Sequence, residues 1–236
     1  MQTYTSRVSL ERYRADALHR EAMCRALAAD DPRYMTVAES AAASVHQIDA
    51  RAMELRQASD ELVRHRAVER ASKLRAITEY AKARRALAVD AERLTEVLLP
   101  TPPAALKKVG ISRAIEIVAQ AAANLQRPEC PASVREGHLP VVNAHIEKMR
   151  VADREEDEVR TGYYALRAAL ALFKAELETA RVKDYATLVG LVQSRPDAEE
   201  FFLPAYQRGG ADGTEDDDEE PEQPAEPSGG GASPPA

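Results

Sequence analysis

The chain has very little of several residue types on which particular folds and chemistries depend. Its 236 residues include no tryptophan, three phenylalanines and two cysteines, and residues 1–208 contain only four glycines. Two distant cysteines, Cys24 and Cys130, cannot form the disulfide framework of a small secreted domain. Without a glycine-rich loop there is no phosphate-binding motif of the kind that nucleotide-binding enzymes use. No run of 18 uncharged apolar residues occurs, so we expect no membrane span.

Alanine, leucine, valine, glutamate and arginine are the abundant residues. Hydrophobic residues make up 44% of the chain and charged residues 30%. Alanine has the highest helix propensity but offers little side-chain surface to bury. This composition predicts an all-α fold, in which long helices meet along narrow apolar seams.

Charge is distributed unevenly along the chain. The net charge is −7, but residues 209–236 carry nine acidic side chains and no basic ones. Residues 1–208 are therefore close to neutral. The acidic segment is rich in glycine and proline and has almost nothing to bury, so we predict a helical body over 1–208 followed by a disordered acidic tail over 209–236.

The body contains a faint internal repeat with offsets of 104 to 106 residues. The matching pairs are Ser6-Arg7 with Ser112-Arg113, Glu79-Tyr80-Ala81 with Asp184-Tyr185-Ala186, and residues 96–100 with residues 200–204. We interpret the repeat as a duplication with units at about 1–102 and 103–208. Each unit would be a short helix followed by a long one, and the long helices would pack antiparallel as an elongated bundle or coiled coil.

Capping residues and prolines predict the helix boundaries. The predicted helices cover residues 6–29, 36–98, 112–126 and 139–193, with a short terminal turn over 196–202. In the second helix the apolar positions change face near 63–70, where we expect a bend, a stutter or a change of packing partner. Arg20 interrupts the apolar face of the first helix, and Asp184 breaks the apolar seam of the fourth.

One seam on the second helix is the predicted surface for a partner. Its side chains follow a four-and-three spacing, which is typical of helix–helix association. They are Val45, Ile48, Ala52, Leu55 and Leu62. The sequence therefore favours a non-enzymatic scaffold or adaptor that acts through protein–protein contacts, of which homodimerisation is the simplest case.

The alternative function is nucleic-acid binding through a basic stretch at residues 64–85. Eight basic side chains outnumber two acidic ones there: Arg64, Arg66, Arg70, Lys73, Arg75, Lys82, Arg84 and Arg85. Phosphate contacts require a concentrated basic surface. In this alternative, the acidic tail would compete with the nucleic acid for the same stretch.

No motif for catalysis, metal binding or cofactor binding stands out. The chain lacks the paired Glu-x-x-His motifs of di-iron helical proteins and the Gly-x-Ser-x-Gly turn of serine hydrolases. We expect no enzyme, cofactor, metal or small-molecule substrate. Tyr80 and Tyr185 are predicted to be structural, with buried rings and bonded hydroxyls. The amino terminus has no apolar signal core, so we predict a cytoplasmic protein.

Overall fold

The computed structural model describes Tyr4 and residues 8–204. In this part of the chain there are seven α-helices and no β-strand. The helices are α1 (Leu10–Leu27), α2 (Tyr34–Asp90), α3 (Glu92–Leu98), α4 (Pro103–Lys108), α5 (Ile111–Leu125), α6 (Ala132–Val192) and α7 (Arg195–Glu199). All seven helices belong to one compact unit. The all-α prediction is confirmed, whereas the predicted tail at 209–236 lies outside the described residues.

Local sequence explains where the shorter helices begin. The Ser9 hydroxyl accepts a hydrogen bond from the Arg12 backbone N–H at 3.2 Å and caps α1, which begins at Leu10 rather than at the predicted residue 6. Pro103 provides the first residue of α4, where no backbone hydrogen bond is lost. Ser194 caps α7 in the same way as Ser9 caps α1.

The second helix is continuous across residues 63–70 and ends at Asp90, before the predicted end at residue 98. The residue that follows it is Ala91. This residue has φ −156° and ψ 68°, outside the helical region, and it separates α2 from α3. Within 63–70 an ion pair joins α2 to α6: the Arg66 guanidinium lies 3.1 Å from the Glu156 carboxylate, whereas Val63 and Val68 are exposed. Charge thus takes the place of apolar packing there.

The fourth predicted helix also differs at its start. α6 begins at Ala132, seven residues before the predicted boundary, so Pro140 lies inside the helix. Val134 is buried in the first turn, and the Ser133 hydroxyl donates to the Asp90 carboxylate at 2.7 Å. These two contacts fix the first turn of α6 against the end of α2, although Pro140 lacks the N–H of a normal helical residue.

The long helices α2 and α6 pack against each other in opposite directions. Along α2 the partner residue on α6 moves steadily towards lower numbers, as in an antiparallel pair. The contacts are Ser40 with Asp184, Arg51 with Phe173, Arg66 with Glu156, and Asp90 with Ser133. α2 contains 57 residues and therefore rises about 85 Å.

The two ends of the α2–α6 pair are covered by different short helices. At one end, α5 and the α3–α4 segment close an apolar core with the last part of α2 and the first part of α6, which includes Leu87, Leu106, Val118 and Met149. At the other end, α1, α7 and residues 201–202 pack on the first part of α2 and the last part of α6, around Val37 and Leu188. Phe201 and Phe202, at the end of the segment predicted to form a short terminal turn, are both buried there.

The prediction of a buried ring and a bonded hydroxyl is confirmed at Tyr80. Its ring is buried, and its hydroxyl donates to the Thr101 carbonyl oxygen at 2.7 Å. Tyr185 is only half-buried and packs edge-on against the Phe202 ring at 5.8 Å between centroids. Tyr80 and Tyr185 are matching residues of the sequence repeat, but they differ in burial.

Candidate functional site

Four charged side chains are buried together at the end covered by α1. Asp16 and Arg20 come from α1, and Arg181 and Asp184 come from α6; each is between 1 and 5% exposed. Buried charges are costly unless they are paired and hydrogen-bonded. We call these four residues the charged cluster.

Within the charged cluster, each arginine contacts an aspartate of the other helix. Arg181 Nε lies 3.1 Å from Asp16 Oδ2, and Arg20 Nε lies 3.0 Å from Asp184 Oδ2. The second contact is an ion pair without an aligned hydrogen bond, since Arg20 Nε has no acceptor in good geometry. Arg20 Nη1 also donates to Asp16 Oδ2 at 2.8 Å. The cluster has no net charge and joins α1 to α6.

The same cluster fixes the segment that follows α7. The Leu203 backbone N–H donates to Asp16 Oδ1 at 2.8 Å. The Tyr4 hydroxyl lies 3.3 Å from Asp16 Oδ1 and 3.1 Å from the Leu203 carbonyl oxygen, and can donate to either. The Arg181 guanidinium lies 4.0 Å from the centroid of the Tyr4 ring and 5.1 Å from that of Phe202. Asp16 is therefore the shared acceptor of the cluster.

The charged cluster links α1, α6 and the segment that follows α7. Burial raises the pKa of Asp184, while Arg20 and the Ser40 hydroxyl act in the opposite direction. Both acidic groups are held by arginines. Sequence reasoning missed Asp16 and Arg181. The available signal was the pair of interruptions at Arg20 and Asp184, which turn out to contact each other.

The predicted partner seam on α2 is mostly covered within the chain. Val45, Ile48 and Leu62 are buried, while Ala52 and Leu55 are half-buried. Between them, the Arg51 guanidinium lies 5.5 Å from the centroid of the Phe173 ring on α6. These side chains therefore pack inside the chain, and their use by a partner stays a prediction.

An exposed apolar face lies instead on α6. Its positions alternate steps of four and three residues, and every one of them is exposed and uncharged: Thr161, Ala165, Ala168, Leu172, Ala175, Thr179 and Val182. Leu172 is 67% exposed, and Tyr164 beside the face is 41% exposed. We call these seven positions the outer seam of α6. Sequence reasoning missed it because the inner seam, which runs from Val159 to Ala180, has larger residues and dominates the pattern.

A groove of about 580 Å³ runs beside the outer seam. One wall is formed by the rings of Tyr4 and Tyr13, and the other by α6 from Ala171 to Lys183. A second cavity of about 380 Å³ lies between α5 and the segment after α3. In the second cavity Asn124 donates to the Leu98 carbonyl oxygen at 2.9 Å and Tyr80 donates to Thr101, so these two polar groups are satisfied within the chain.

The structure divides the predicted basic stretch into two sets. Three of its side chains pair with a carboxylate and a fourth reaches a backbone carbonyl outside α2, while Arg85 Nε donates to the Ala81 carbonyl oxygen of its own helix at 3.4 Å. Arg66 pairs with Glu156, Lys82 with Glu79, Arg84 with Glu96, and Lys73 donates to the Val109 carbonyl oxygen. The other four are exposed and pair with no carboxylate among the described residues: Arg64, Arg70, Arg75 and Arg85. The basic residues available to a polyanion are thus half of those predicted.

Metal and thiol chemistry find little support in the described residues. No group of three or more His, Cys, Asp or Glu in this part of the chain is arranged to hold a metal ion. Cys24 and Cys130 are free and buried, and burial raises the pKa of the Cys24 thiol to about 11. Such a thiol is almost entirely protonated near neutral pH, and it is the thiolate that reacts. None of the helices, as far as the structure describes them, combines the length and apolar character needed to cross a membrane.

Comparisons with known proteins were made at three levels. No protein-family model, curated protein sequence or solved structure matches the chain.

Proposed function

We propose that this protein is a non-enzymatic helical scaffold or adaptor that acts through protein–protein contacts or self-association. The observation that supports this proposal best is the outer seam of α6. Its seven uncharged positions extend over three heptads, and Leu172 and Val182 within it are large and exposed. Soluble proteins rarely expose a contiguous apolar face unless it binds something. Positions that alternate steps of four and three residues are typical of the face with which one helix packs against another.

We further propose that the α2–α6 pair is a coiled-coil element of an antiparallel bundle that arose by duplication. Two observations favour this view. Each long helix carries a short companion, α1 on α2 and α5 on α6. The matching segments 96–100 and 200–204 both follow the end of a long helix, and Leu98, Leu99 and Phe202 within them are buried. The similar placement of these segments supports the proposed duplication.

The cytoplasm is the proposed location. Both cysteines are free thiols buried in the interior, and they belong to opposite ends of the helix pair. Unpaired cysteines are typical of a reducing compartment.

Size-exclusion chromatography with light scattering tests the scaffold proposal. The full chain should be measured over a wide range of concentrations at low and high salt. A mass that rises with concentration, with little dependence on salt, supports self-association through an apolar surface. A monomer at every concentration contradicts it.

Nucleic-acid binding is the second candidate function. It is favoured by the exposure of Arg64, Arg70, Arg75 and Arg85, which have no carboxylate partner among the described residues. Fluorescence anisotropy with a labelled DNA duplex and a labelled single strand would test it. Binding that weakens steeply as salt increases, and strengthens when residues 209–236 are deleted, supports this candidate together with the competing tail. Absence of binding at low salt contradicts it.

A further inference from the structure

We infer that the α2–α6 pair bends at its middle, so that the end covered by α1 and the end covered by α5 change their relative orientation. The hinge consists of residues 49–61 of α2 and residues 157–172 of α6, which we call the middle segment. This movement occurs within one chain and goes beyond the proposed function, which concerns contacts with a partner.

The middle segment contains no buried side chain in either helix. Buried residues border it on both helices, at Ile48 and Leu62 on α2 and at Glu156 and Phe173 on α6. Within these borders every side chain is half-buried or exposed. Parts of a protein with few buried apolar contacts open and deform at the lowest cost in free energy. The middle segment is therefore the softest part of the helix pair.

The apolar seam between α2 and α6 continues through the middle segment, but it is incompletely covered. Leu55, Leu166 and Leu170 belong to this seam and are only half-buried. In the two covered ends, Leu87 and Leu188 are fully buried. Apolar contact stabilises in proportion to the area that is removed from water. Each seam residue of the middle segment therefore contributes less to the stability of the pair than its counterparts at the ends.

The two short companion helices reach the middle segment only at its borders. Arg14 of α1 pairs with Asp49 at 2.6 Å, and α1 begins at Leu10, about one turn earlier. The rest of α1 packs on lower-numbered residues of α2. At the other border Ser112, the second residue of α5, hydrogen-bonds to Asp153 of α6. Each short helix thus supports one end of the pair and leaves the middle to the two long helices.

Gly162 is the point in the middle segment at which α6 bends most easily. Glycine has the freest backbone of all residues, and in a helix interior it is disfavoured relative to alanine by about fivefold. Gly162 is exposed, and a Cβ at this position would meet no atom within 4 Å. Close packing therefore does not require a glycine here, and its effect on the helix is to weaken it.

Spin labels on either side of the middle segment measure the bending. Val151→Cys and Glu176→Cys place labels at two exposed positions of α6, about 37 Å apart along a straight helix. Cys24 and Cys130 are buried, and the chain without the new cysteines is the labelling control. Dilution with unlabelled chains restricts the measurement to distances within one chain. We expect a broad distance distribution, and a single narrow distribution would overturn the inference.

A second pair of variants tests whether Gly162 is the bending point. Gly162→Ala should narrow the distribution and slow amide hydrogen exchange over residues 159–166 about fivefold. Gly190→Ala is the matched control, because Gly190 is also an exposed glycine of α6 with open space around its Cβ, but it lies outside the middle segment. It should leave both measurements unchanged. Equal effects of the two substitutions, or no effect of Gly162→Ala, would overturn the inference.

A variant that softens the helix should act in the opposite direction. Ala165→Gly lies in the middle segment and should broaden the distance distribution and speed exchange over the same residues. An unchanged distribution would contradict the hinge. The mass measurements of the scaffold proposal report association between chains, and the label distances report bending within one chain. Failure of either proposal is therefore distinguishable from failure of the other.

Discussion

The two ends of the α2–α6 pair are covered in similar ways but are held together by different interactions. At the end covered by α5, the core is almost entirely apolar, and fully buried Leu87, Leu106 and Val118 fill it. At the end covered by α1, the apolar layer around Leu188 lies beside the charged cluster of Asp16, Arg20, Arg181 and Asp184. We call these the apolar end and the charged end.

The difference shows that two ends covered in similar ways can be held together by different chemistry. Apolar packing depends on volume and tolerates substitution by residues of similar size. An ion-pair cluster depends on every partner being present, because removing one leaves the others buried and unpaired. The apolar end should therefore lose stability gradually when it is mutated, while the charged end should respond sharply to the loss of a single residue.

The largest expected effect comes from breaking the charged end at Asp16. Asp16→Ala removes the acceptor shared by Arg20, Arg181 and the Leu203 backbone N–H. Removal of one partner from a buried ion pair costs about 3–5 kcal/mol. Urea unfolding followed by circular dichroism measures the loss.

Asp49→Ala is the matched control for Asp16→Ala. Asp49 also pairs with an arginine of α1, Arg14, at 2.6 Å, but this pair is exposed. We expect only a slight change in the urea midpoint. Equal effects of the two substitutions would contradict the assignment of a special role to the buried cluster.

The next effect comes from the apolar end. Leu87→Ala leaves a cavity at a fully buried position, and such a substitution costs about 3 kcal/mol. Leu87→Met at the same position conserves volume and should cost less than about 1.5 kcal/mol. The same urea titration compares the two variants. A large loss in the Met variant would show that this end is as intolerant as the charged end.

A smaller loss of stability should distinguish Tyr80 from Tyr185, its match in the sequence repeat. Tyr80→Phe removes the hydrogen bond to the Thr101 carbonyl oxygen and should cost about 1 kcal/mol. Tyr185→Phe should cost less, because the Tyr185 ring is only half-buried. Thermal unfolding of both variants measures the order, and the reverse order would contradict the structural roles given to these residues.

A dependence on alkaline pH gives a further test of the role of Tyr80. Burial raises the pKa of Tyr80 from 10.0 to about 12. Between these two values the unfolded chain loses this proton and the folded chain keeps it, so the stability of the folded chain falls as the pH rises. In Tyr80→Phe the fall should be shallower, and the stability difference from the wild type should shrink above pH 10. Urea midpoints across this pH range check the prediction; parallel curves would contradict it.

The sequence predicted the parts of the fold that depend on local signals. Prolines and capping residues located most helix ends to within four residues, although α6 starts seven residues before its predicted boundary and α4 was not predicted. The four-and-three spacing of the inner α6 seam identified the face that packs. The break at Ala91 was missed because alanine carries no signal for a helix end. Near 63–70, where we expected a bend, a stutter or a change of packing partner, α2 is one continuous helix and pairs with α6 through Arg66 and Glu156. Local periodicity cannot reveal such an ion pair.

The candidate site was harder to predict than the fold. Arg20 and Asp184 each looked like an interruption, and only the antiparallel packing of the chain brings them to 3.0 Å. The α2 seam at Val45, Ile48 and Leu62 has the spacing of a binding surface, but α2 uses that side within its own chain. Spacing reports that a face is apolar; the structure is needed to report whether it is already covered.

Hydrogen–deuterium exchange at low and high protein concentration tests the central claim most directly. We expect amide exchange in α6 over residues 161–182 to be slower at high protein concentration than at low. Residues 45–62 of α2 should exchange at the same rate in both samples. Protection that appears at 45–62 instead, or exchange that does not depend on concentration anywhere, would contradict the outer seam of α6 as the surface through which this protein acts.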